Sequence, residues 1–209
     1  SGCDPAGWPV SHSSGTRDRD RPDRQRSQRA VFDHSWRLLS RTEQGVLSRL
    51  SVFRGRFDRI AALRAVGAPL PILSALVDKS LLQAQPFGHY SMHELVRQYA
   101  GGRLAERLEE EEAAARALQS AYYAGYLANL EDMLKGKGQL AALLKMDAEI
   151  DNVRVGWRWA VKQQDTALMA AYTNSMMHFY HIRGWHEEAI QACARAIAVL
   201  DSLETREAE

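Results

Sequence analysis

The sequence predicts a mainly α-helical protein, in which a winged helix-turn-helix with a small β-hairpin precedes an α-helical, tetratricopeptide-like solenoid. Two observations predict this order. Between residues 30 and 102, short helical patterns end in two strand patterns around a tight turn, whereas residues 103–209 carry helical periodicity alone. We therefore divide the chain into a disordered linker or tail (1–29), a winged-helix domain (30–102), and a helical linker with repeats that begin a sensor domain (103–209).

The composition excludes several classes of protein. Of 209 residues, 45% are hydrophobic and 25% are charged, as in ordinary globular proteins, and the net charge of +1 excludes a strongly basic nucleic-acid coat. The two cysteines, Cys3 and Cys193, are too few and too far apart for a disulfide scaffold or a zinc module.

No apolar run reaches the roughly 20 residues of a membrane span, and residues 1–10 lack a signal-peptide pattern. We expect a soluble, cytoplasmic protein that does not contact a membrane.

Residues 1–29 contain almost no aliphatic side chains. Six arginines are interspersed with four aspartates, together with Pro and Ser, so this segment cannot bury enough apolar surface to offset the entropy of ordering. We interpret it as a linker or tail. A nucleic-acid-binding arm is the weaker alternative, because the aspartates oppose binding to phosphates.

The winged-helix domain begins with three helical patterns. Phe32, Trp36 and Leu39 recur at helical spacing and predict the first helix. The segment Ser40-Arg-Thr-Glu43 has the pattern of a capping box, which opens a second helix. The predicted buried stripes of the second and third helices are Val46, Leu47 and Leu50, and Ile60, Leu63 and Val66.

A fourth helix and a hairpin complete this domain. The break Gly67-Ala-Pro69 precedes a helix from about Leu70 to Lys79. Two short strands then flank the turn Pro86-Phe-Gly88, and a long helix begins near His93.

The remainder of the chain is predicted to be helical hairpins. The predicted helices are Glu109–Leu134, Leu140–Gln163, Thr166–Arg183 and His186–Leu203. With Ala170 as position 1 of a tetratricopeptide repeat of about 34 residues, Tyr180 and Gly184 match the aromatic and turn positions, but Thr173 and Met177 replace the usual Trp and Gly. Because a solenoid needs about three repeats, we expect this chain to be a fragment of a longer protein.

No catalytic site is evident in the sequence. The phosphate-binding pattern G-x-x-x-x-G-K-[ST] is absent, and the glycine pair of Gly136-Lys-Gly138 follows a helix, which indicates a helix–helix turn and not a dinucleotide site. His178, His181, His186 and Cys193 could be assembled into a metal set, but their spacing points them in several directions. We therefore predict no enzymatic activity, no cofactor and no metal in this chain.

The predicted fourth helix argues against DNA as its partner. Residues 30–100 contain 9 Lys and Arg against 5 Asp and Glu, a modest excess for phosphate binding. The start of this helix lacks the Arg, Asn or Gln that read base edges. The residues predicted to form its buried stripe are Leu70, Leu73, Leu76, Val77 and Leu81. Ser74, Ala75, Asp78 and Lys79 are predicted to face outward. A helix with this composition is expected to pack against protein.

Three blocks of the chain closely resemble the winged-helix segment of bacterial STAND regulators, the signal-transduction ATPases that include large LuxR-type and AfsR-like proteins. The blocks read FDHSWRLLSRTEQGVLSRLSVFRGRF, LVDKSLL and HYSMHELVRQYA. Residues 121–160 are similar to the helical linker that follows in these families. The resemblance spans about residues 31–200. The family pattern places five residues in the helix before the repeats: Glu149, Asn152, Trp157, Trp159 and Ala160.

This resemblance implies a switch. In STAND proteins a nucleotide-binding domain precedes the winged helix, which closes over bound ADP. Met92-His93-Glu94 is similar to the Met-His-Asp motif of related proteins, so His93 would contact the ADP phosphate when that domain is present. Alternatively, His93 only caps the last helix of the domain. The resemblance implies ADP or ATP as the cofactor of the full-length protein, and its own nucleotide-binding domain as a partner.

Several aromatic residues are assigned to packing. Phe53, Phe57, Leu95, Tyr99 and Trp36 fall on apolar stripes, and one of Trp157 and Trp159 is expected to remain partly exposed. Four further residues either line a groove for a protein partner or pack adjacent hairpins, and packing is favoured. They are Tyr172, Phe179, Tyr180 and Trp185.

The sequence therefore predicts a regulatory fragment of a STAND ATPase. Its helices would sense a protein or small-molecule signal, and its winged helix would clamp the nucleotide-binding domain or relay the signal to it. The alternatives are a DNA-binding winged-helix transcription factor with a helical effector domain, and a passive protein-interaction scaffold.

Overall fold

The computed structural model describes residues 31–107 and 109–207, which fall into two compact units. The smaller unit ends at Leu38 and, in its described part, contains helix α1, residues 31–37. Phe32 and Trp36 lie in α1 and are half-buried, whereas Leu39 lies past its end, in the larger unit. The predicted tail, residues 1–29, lies outside the described residues.

The larger unit begins with helix α2, Arg41–Leu50. The predicted capping box is confirmed, because the Glu43 amide donates to Ser40 Oγ and the Ser40 amide donates to Glu43 Oε2. The predicted buried stripe of α2 is also confirmed. These two hydrogen bonds satisfy amides that would otherwise lack partners at the helix start.

Helices α3, Arg59–Val66, and α4, Leu70–Asp78, form the helix-turn-helix. Their axes are bent by 112°, which is the geometry expected for this motif. Gly67 ends α3 with φ of 66°, a left-handed conformation that glycine adopts without strain, and Pro69 precedes the first residue of α4.

The buried face of α3 differs from the prediction. Ile60 and Leu63 are 55% and 51% exposed, so assigning them to the core was wrong. The residues that α3 buries are Ala61, Ala62, Ala65 and Val66. Their spacing of four follows the helical period more closely than the predicted spacing of three, and the small alanines allow α3 to approach α6 closely.

A three-stranded antiparallel sheet completes the winged helix. Its strands are β1, Arg56–Asp58, β2, Gln83–Gln85, and β3, His89–Ser91, in the order β1-β3-β2. The predicted hairpin is β2–β3. Strand β1 was not predicted, because three residues are too few to show an alternating pattern.

Helix α5, Glu94–Ala105, runs uninterrupted through Gly101-Gly102, so the proposed division between residues 102 and 103 falls inside a helix. It buries Val96, Ala100 and Leu104, at a spacing of four. Leu95 is 37% exposed and Tyr99 is half-buried, so the core assignment is wrong for Leu95.

Four long helices follow: α6, Glu109–Lys135, α7, Gln139–Lys162, α8, Thr166–Arg183, and α9, His186–Glu207. The predicted breaks between them are confirmed. Helix α6 packs against α7 and α8, α8 packs against α9, and α3 and β1 of the winged helix contact α6 and α7. The predicted fold class, mainly α with a small hairpin, is confirmed.

Within residues 31–107 and 109–207, no single helix is long and apolar enough to cross a membrane. The bent pair α3–α4, taken together, has the length and the apolar composition of a membrane span.

Candidate regulatory interface

Helix α4 occupies the position of the recognition helix in DNA-binding winged helices. Its inward face is closed by Leu73 and Leu76, which are fully buried. The residues that it exposes are Leu70, Pro71, Ser74 and Asp78. Leu70 is 44% exposed, so its assignment to the buried stripe was wrong. This outward face consists of leucine, proline, serine and aspartate and carries no basic side chain.

The exposed leucine of α4 belongs to a larger apolar surface. Ile60 of α3, Leu70 of α4 and the wing residues Phe87 and Tyr90 line one shallow cavity of about 340 Å³, which Asp58 and Arg59 border. We call these four residues the wing surface. Phe87 is 98% exposed and has φ of 61°, a conformation that costs energy for a bulky residue. Exposed apolar residues gathered in one place are typical of protein–protein contacts.

Lys79, the basic residue that directly follows α4, forms an ion pair within the winged helix. Lys79 follows the helix, and its Nζ lies 2.6 Å from Oε1 of Glu43. This hydrogen bond, together with the amide of Ser40, holds the pKa of Glu43 below its ordinary value. Lys79 therefore serves the winged helix internally.

His93 caps α5. Its side chain is exposed, and its Nδ1 accepts a hydrogen bond of 3.3 Å from the amide of Leu95, as the capping interpretation predicts. Nε2 takes no part in this bond. The contact with an ADP phosphate that the resemblance implies for His93 stays a prediction.

Glu94, beside His93, is the centre of an ion-pair cluster. Its carboxylate accepts two hydrogen bonds from Arg97 and one from Gln98, and lies 3.4 Å from Arg54 Nη1. The Arg97 guanidinium is the main cause of a pKa of about 2 for Glu94. At neutral pH the Glu94 carboxylate is therefore ionised and paired with these cations. This arrangement gives no evidence that Glu94 binds a ligand.

Asn152, a buried residue of α7, connects this helix to the winged helix. The side chain of Asn152 accepts a hydrogen bond of 2.7 Å from the amide of Arg54 and donates one of 2.5 Å to the carbonyl of Arg56. The main-chain carbonyl of Asn152 accepts a hydrogen bond of 3.0 Å from the side chain of Gln119 on α6. Because Asn152 is fully buried, these bonds are hard to replace with water. They fix the position of the loop before β1 relative to α6 and α7.

Glu149 lies one turn before Asn152 and is 3% exposed. Its Oε2 accepts from the hydroxyl of Tyr123 at 2.7 Å and from Asn152 Nδ2 at 3.0 Å. Its Oε1 has no hydrogen-bond partner among the described residues, although His89 Nε2 of β3 lies 3.3 Å away. Burial raises the pKa of Glu149 to about 7. We call Asn152, Glu149, Tyr123 and His89 the polar junction.

A cavity of about 690 Å³ opens beside the polar junction. Glu149 and His89 lie on its polar side, while Phe87, Leu130 and Met133 supply apolar walls. Its size falls in the range of small-molecule sites in proteins. It shows that the wing and the α6–α7 hairpin leave space between them.

The four aromatic residues of the predicted groove are mostly buried. Tyr172, Phe179 and Tyr180 lie in the core and cannot line an open groove in this structure, while Trp185 remains half-buried. Tyr172 donates to the carbonyl of Ser120, and Trp185 packs edge-on against Phe179. This agrees with the packing interpretation, and the physical reason is that the hairpins α6–α7 and α8–α9 must bury their facing sides.

The histidines and the cysteine that could be assembled into a metal set do not converge. Among the described residues, no group of three or more His, Cys, Asp or Glu side chains is arranged to hold a metal ion. His181 and His186 have ring centroids 5.9 Å apart, and Cys193 lies beside Met177.

The contacts of the polar junction were missed from the sequence, although the resemblance singled out Glu149 and Asn152. A usable signal was present, since both residues fall on the same face of α7 as Met146 and Val153. A polar side chain on an otherwise buried helical face indicates a specific partner.

Known proteins that are similar to this chain come from mycobacteria. No family profile matches the chain, and no solved structure matches it. It is 36% identical over 148 residues to provisionally named HTH-type transcriptional regulators from two strains of Mycobacterium tuberculosis and one of Mycobacterium bovis. The alignment covers 66% of this chain but only 16% of each relative, so the chain spans about a sixth of their length.

Proposed function

We propose that this chain is a regulatory segment of a STAND signal-transduction ATPase. The winged helix docks onto a nucleotide-binding domain of the full-length protein, and helices α6–α9, as the start of a tetratricopeptide-type sensor, receive a protein or small-molecule signal. The proposal assigns no catalysis and no cofactor to this chain itself. It includes a cytoplasmic location, where such a regulator would act.

The wing surface is the observation that carries the proposal. Ile60, Leu70 and Phe87 expose apolar side chains around one cavity, at the end of the domain where α4 begins. Among the described residues that line this cavity, Arg59 is the one that is basic. A DNA reader needs cations and base-reading amides on α4 itself, because phosphates supply much of the binding energy. The outward face of α4 offers leucine, proline, serine and aspartate instead. This chemistry favours a protein domain as its partner.

The polar junction supports the relay part of the proposal. Asn152 binds Arg54, in the loop before β1, and Arg56, the first residue of β1, by one hydrogen bond each, so a shift of α7 would be transmitted to the sheet. Coupling of this kind needs a contiguous, well-packed path between the two sites. The path here runs from α7 through Asn152 to β1, and from Glu149 to His89 on β3.

The test uses the full-length protein and the histidine that the resemblance assigns to ADP. We expect the purified protein to retain ADP, and the His93→Ala variant to retain at least several-fold less, measured by chromatography of the nucleotide released on denaturation. His186→Ala, which changes an exposed histidine on α9, is the matched control. Equal nucleotide content in all three proteins would contradict the clamp and favour a passive scaffold.

DNA binding is the second candidate, because the relatives carry the name of transcriptional regulators. Fluorescence anisotropy with duplex DNA at moderate salt separates the two candidates. We expect this chain to bind only weakly and without sequence preference. Specific binding in the nanomolar range, abolished by Ser74→Glu on α4, would favour the DNA reader.

A further inference from the structure

A second cavity lies where the winged helix meets α6 and α7, with a volume of about 310 Å³. The winged helix contributes Ser51, Val52, Arg54 and Arg97 to it, and α6 and α7 contribute the remainder. Its lining contains five basic side chains: Arg54, Arg97, Arg116, Arg158 and Lys162. We call it the basic cavity.

The carboxylates around the basic cavity are too few to neutralise it. Glu112 binds Arg116 at 2.8 Å, and Glu94 is shared by Arg97 and Arg54. Two carboxylates thus stand against five cations, which leaves a local excess of three positive charges. Cations that converge on a concave site attract an anion, because the charge of the ligand relieves their mutual repulsion.

Two of these cations have no counter-ion among the described residues. Arg158 makes no ion pair there, and Lys162 contacts only the ring of Trp159, at 5.7 Å from its centroid. Burial, followed by the charges of Arg54 and Arg195, lowers the pKa of Arg158. The Arg158 side chain is exposed, and its guanidinium lies near the like charges of Arg54 and Arg195.

We propose that the basic cavity binds a small phosphate-bearing anion, which bridges the winged helix and the α6–α7 hairpin. Guanidinium groups match phosphate oxygens in charge and in planar hydrogen-bond geometry. The volume lies near the lower end of the range for small-molecule sites, so it suits a compact ligand. Arg54 and Arg97 would hold the anion from one side, and Arg158 and Lys162 from the other.

Inorganic pyrophosphate is the probe for this site. We expect saturable binding to the whole chain with a stoichiometry of one by calorimetry, and a rise in the melting temperature, with ionic strength held constant by sodium chloride. Arg158→Gln and Lys162→Gln should each weaken binding about tenfold or more, since each removes a charged contact. Arg158→Lys, which keeps the charge, should retain most of the affinity.

Arg64→Gln is the matched control, because Arg64 is exposed on α3 and lies outside the basic cavity. Circular dichroism checks that each variant is folded. Absence of saturable binding would overturn the proposal, and so would equal weakening by Arg158→Gln and Arg64→Gln, which would indicate a general ionic effect. Full displacement of pyrophosphate by a short DNA duplex would overturn it as well, by assigning these cations to nucleic acid.

Discussion

The wing surface and the polar junction differ in which side chains they bury. The wing surface exposes Ile60, Leu70 and Phe87, whereas the polar junction buries Asn152 and Glu149. Exposed apolar groups add little to folding stability, while buried polar groups are costly unless each is paired. Under the proposed function, the first region contacts a partner and the second couples elements within the chain. Substitutions in the two regions should therefore affect different measurements.

The largest loss of stability is expected for Asn152→Leu. It leaves the amide of Arg54 and the carbonyl of Arg56 without their partners and should lower the free energy of unfolding by about 4 kcal/mol. Urea denaturation measures this. Asn174→Leu, at an exposed site on α8, is the control and should change stability by less than about 0.5 kcal/mol. Equal effects in the two variants would show that the hydrogen bonds of Asn152 do not stabilise the fold more than an exposed asparagine does.

The next effect is a pH dependence from Glu149. Burial raises its pKa from 4.5 to about 7, so the folded state binds this proton more tightly than the unfolded state. Stability from this group is fully present below pH 4.5 and is lost as the pH rises through 7, by at most about 3 kcal/mol. Glu149→Gln keeps an acceptor for Tyr123 and should flatten this part of the stability profile. An unchanged slope would show that another group titrates.

A smaller loss is expected for Gly156→Ala, where α6, α7 and α8 meet. A Cβ at Gly156 would overlap Tyr172 Oη and lie 3.2 Å from Ser120 Cα, so the helices must separate, at a cost of about 2 kcal/mol. Gly125→Ala on α6 has nothing within 4 Å and should instead raise stability by about 0.5 kcal/mol. Thermal denaturation of both variants tests this difference in sign.

The smallest change in stability is expected at the wing. Phe87→Asn should be neutral or should stabilise the fold by about 0.5 kcal/mol, because asparagine tolerates the left-handed conformation at φ of 61°. The same substitution removes the most exposed apolar side chain of the wing surface and should weaken docking in the full-length protein, measured by retained ADP. A large loss of stability would mean that Phe87 supports the fold and not a partner.

The sequence predicted the elements built on local chemistry. The capping box at Ser40, the hairpin around Pro86–Gly88 and the limits of α8 depend on residues close in the chain, and each is confirmed. The errors concern which face of a helix is covered, since Ile60, Leu63 and Leu95 are apolar yet exposed. Burial depends on what another element covers, and neither periodicity nor capping specifies that.

The candidate sites were predicted less well than the fold, for the same reason. Phe87 and Leu70 meet at one surface only after the sheet and α4 are assembled. The basic cavity collects residues from the loop after α2 and from α5, α6 and α7, which are up to about 110 positions apart, so no motif in the sequence indicates it. The polar junction left a signal in α7, but its partner, the loop before β1, is visible only in three dimensions.

The central claim is that α4 contacts a protein domain and not DNA, and cross-linking from α4 tests it most directly. A photoreactive amino acid replaces Ser74, which is exposed on α4, in the full-length protein, and the protein is irradiated in the presence of mixed duplex DNA. The account predicts cross-links to a nucleotide-binding domain of the same protein, identified by mass spectrometry. Cross-links from this position to DNA alone would contradict it.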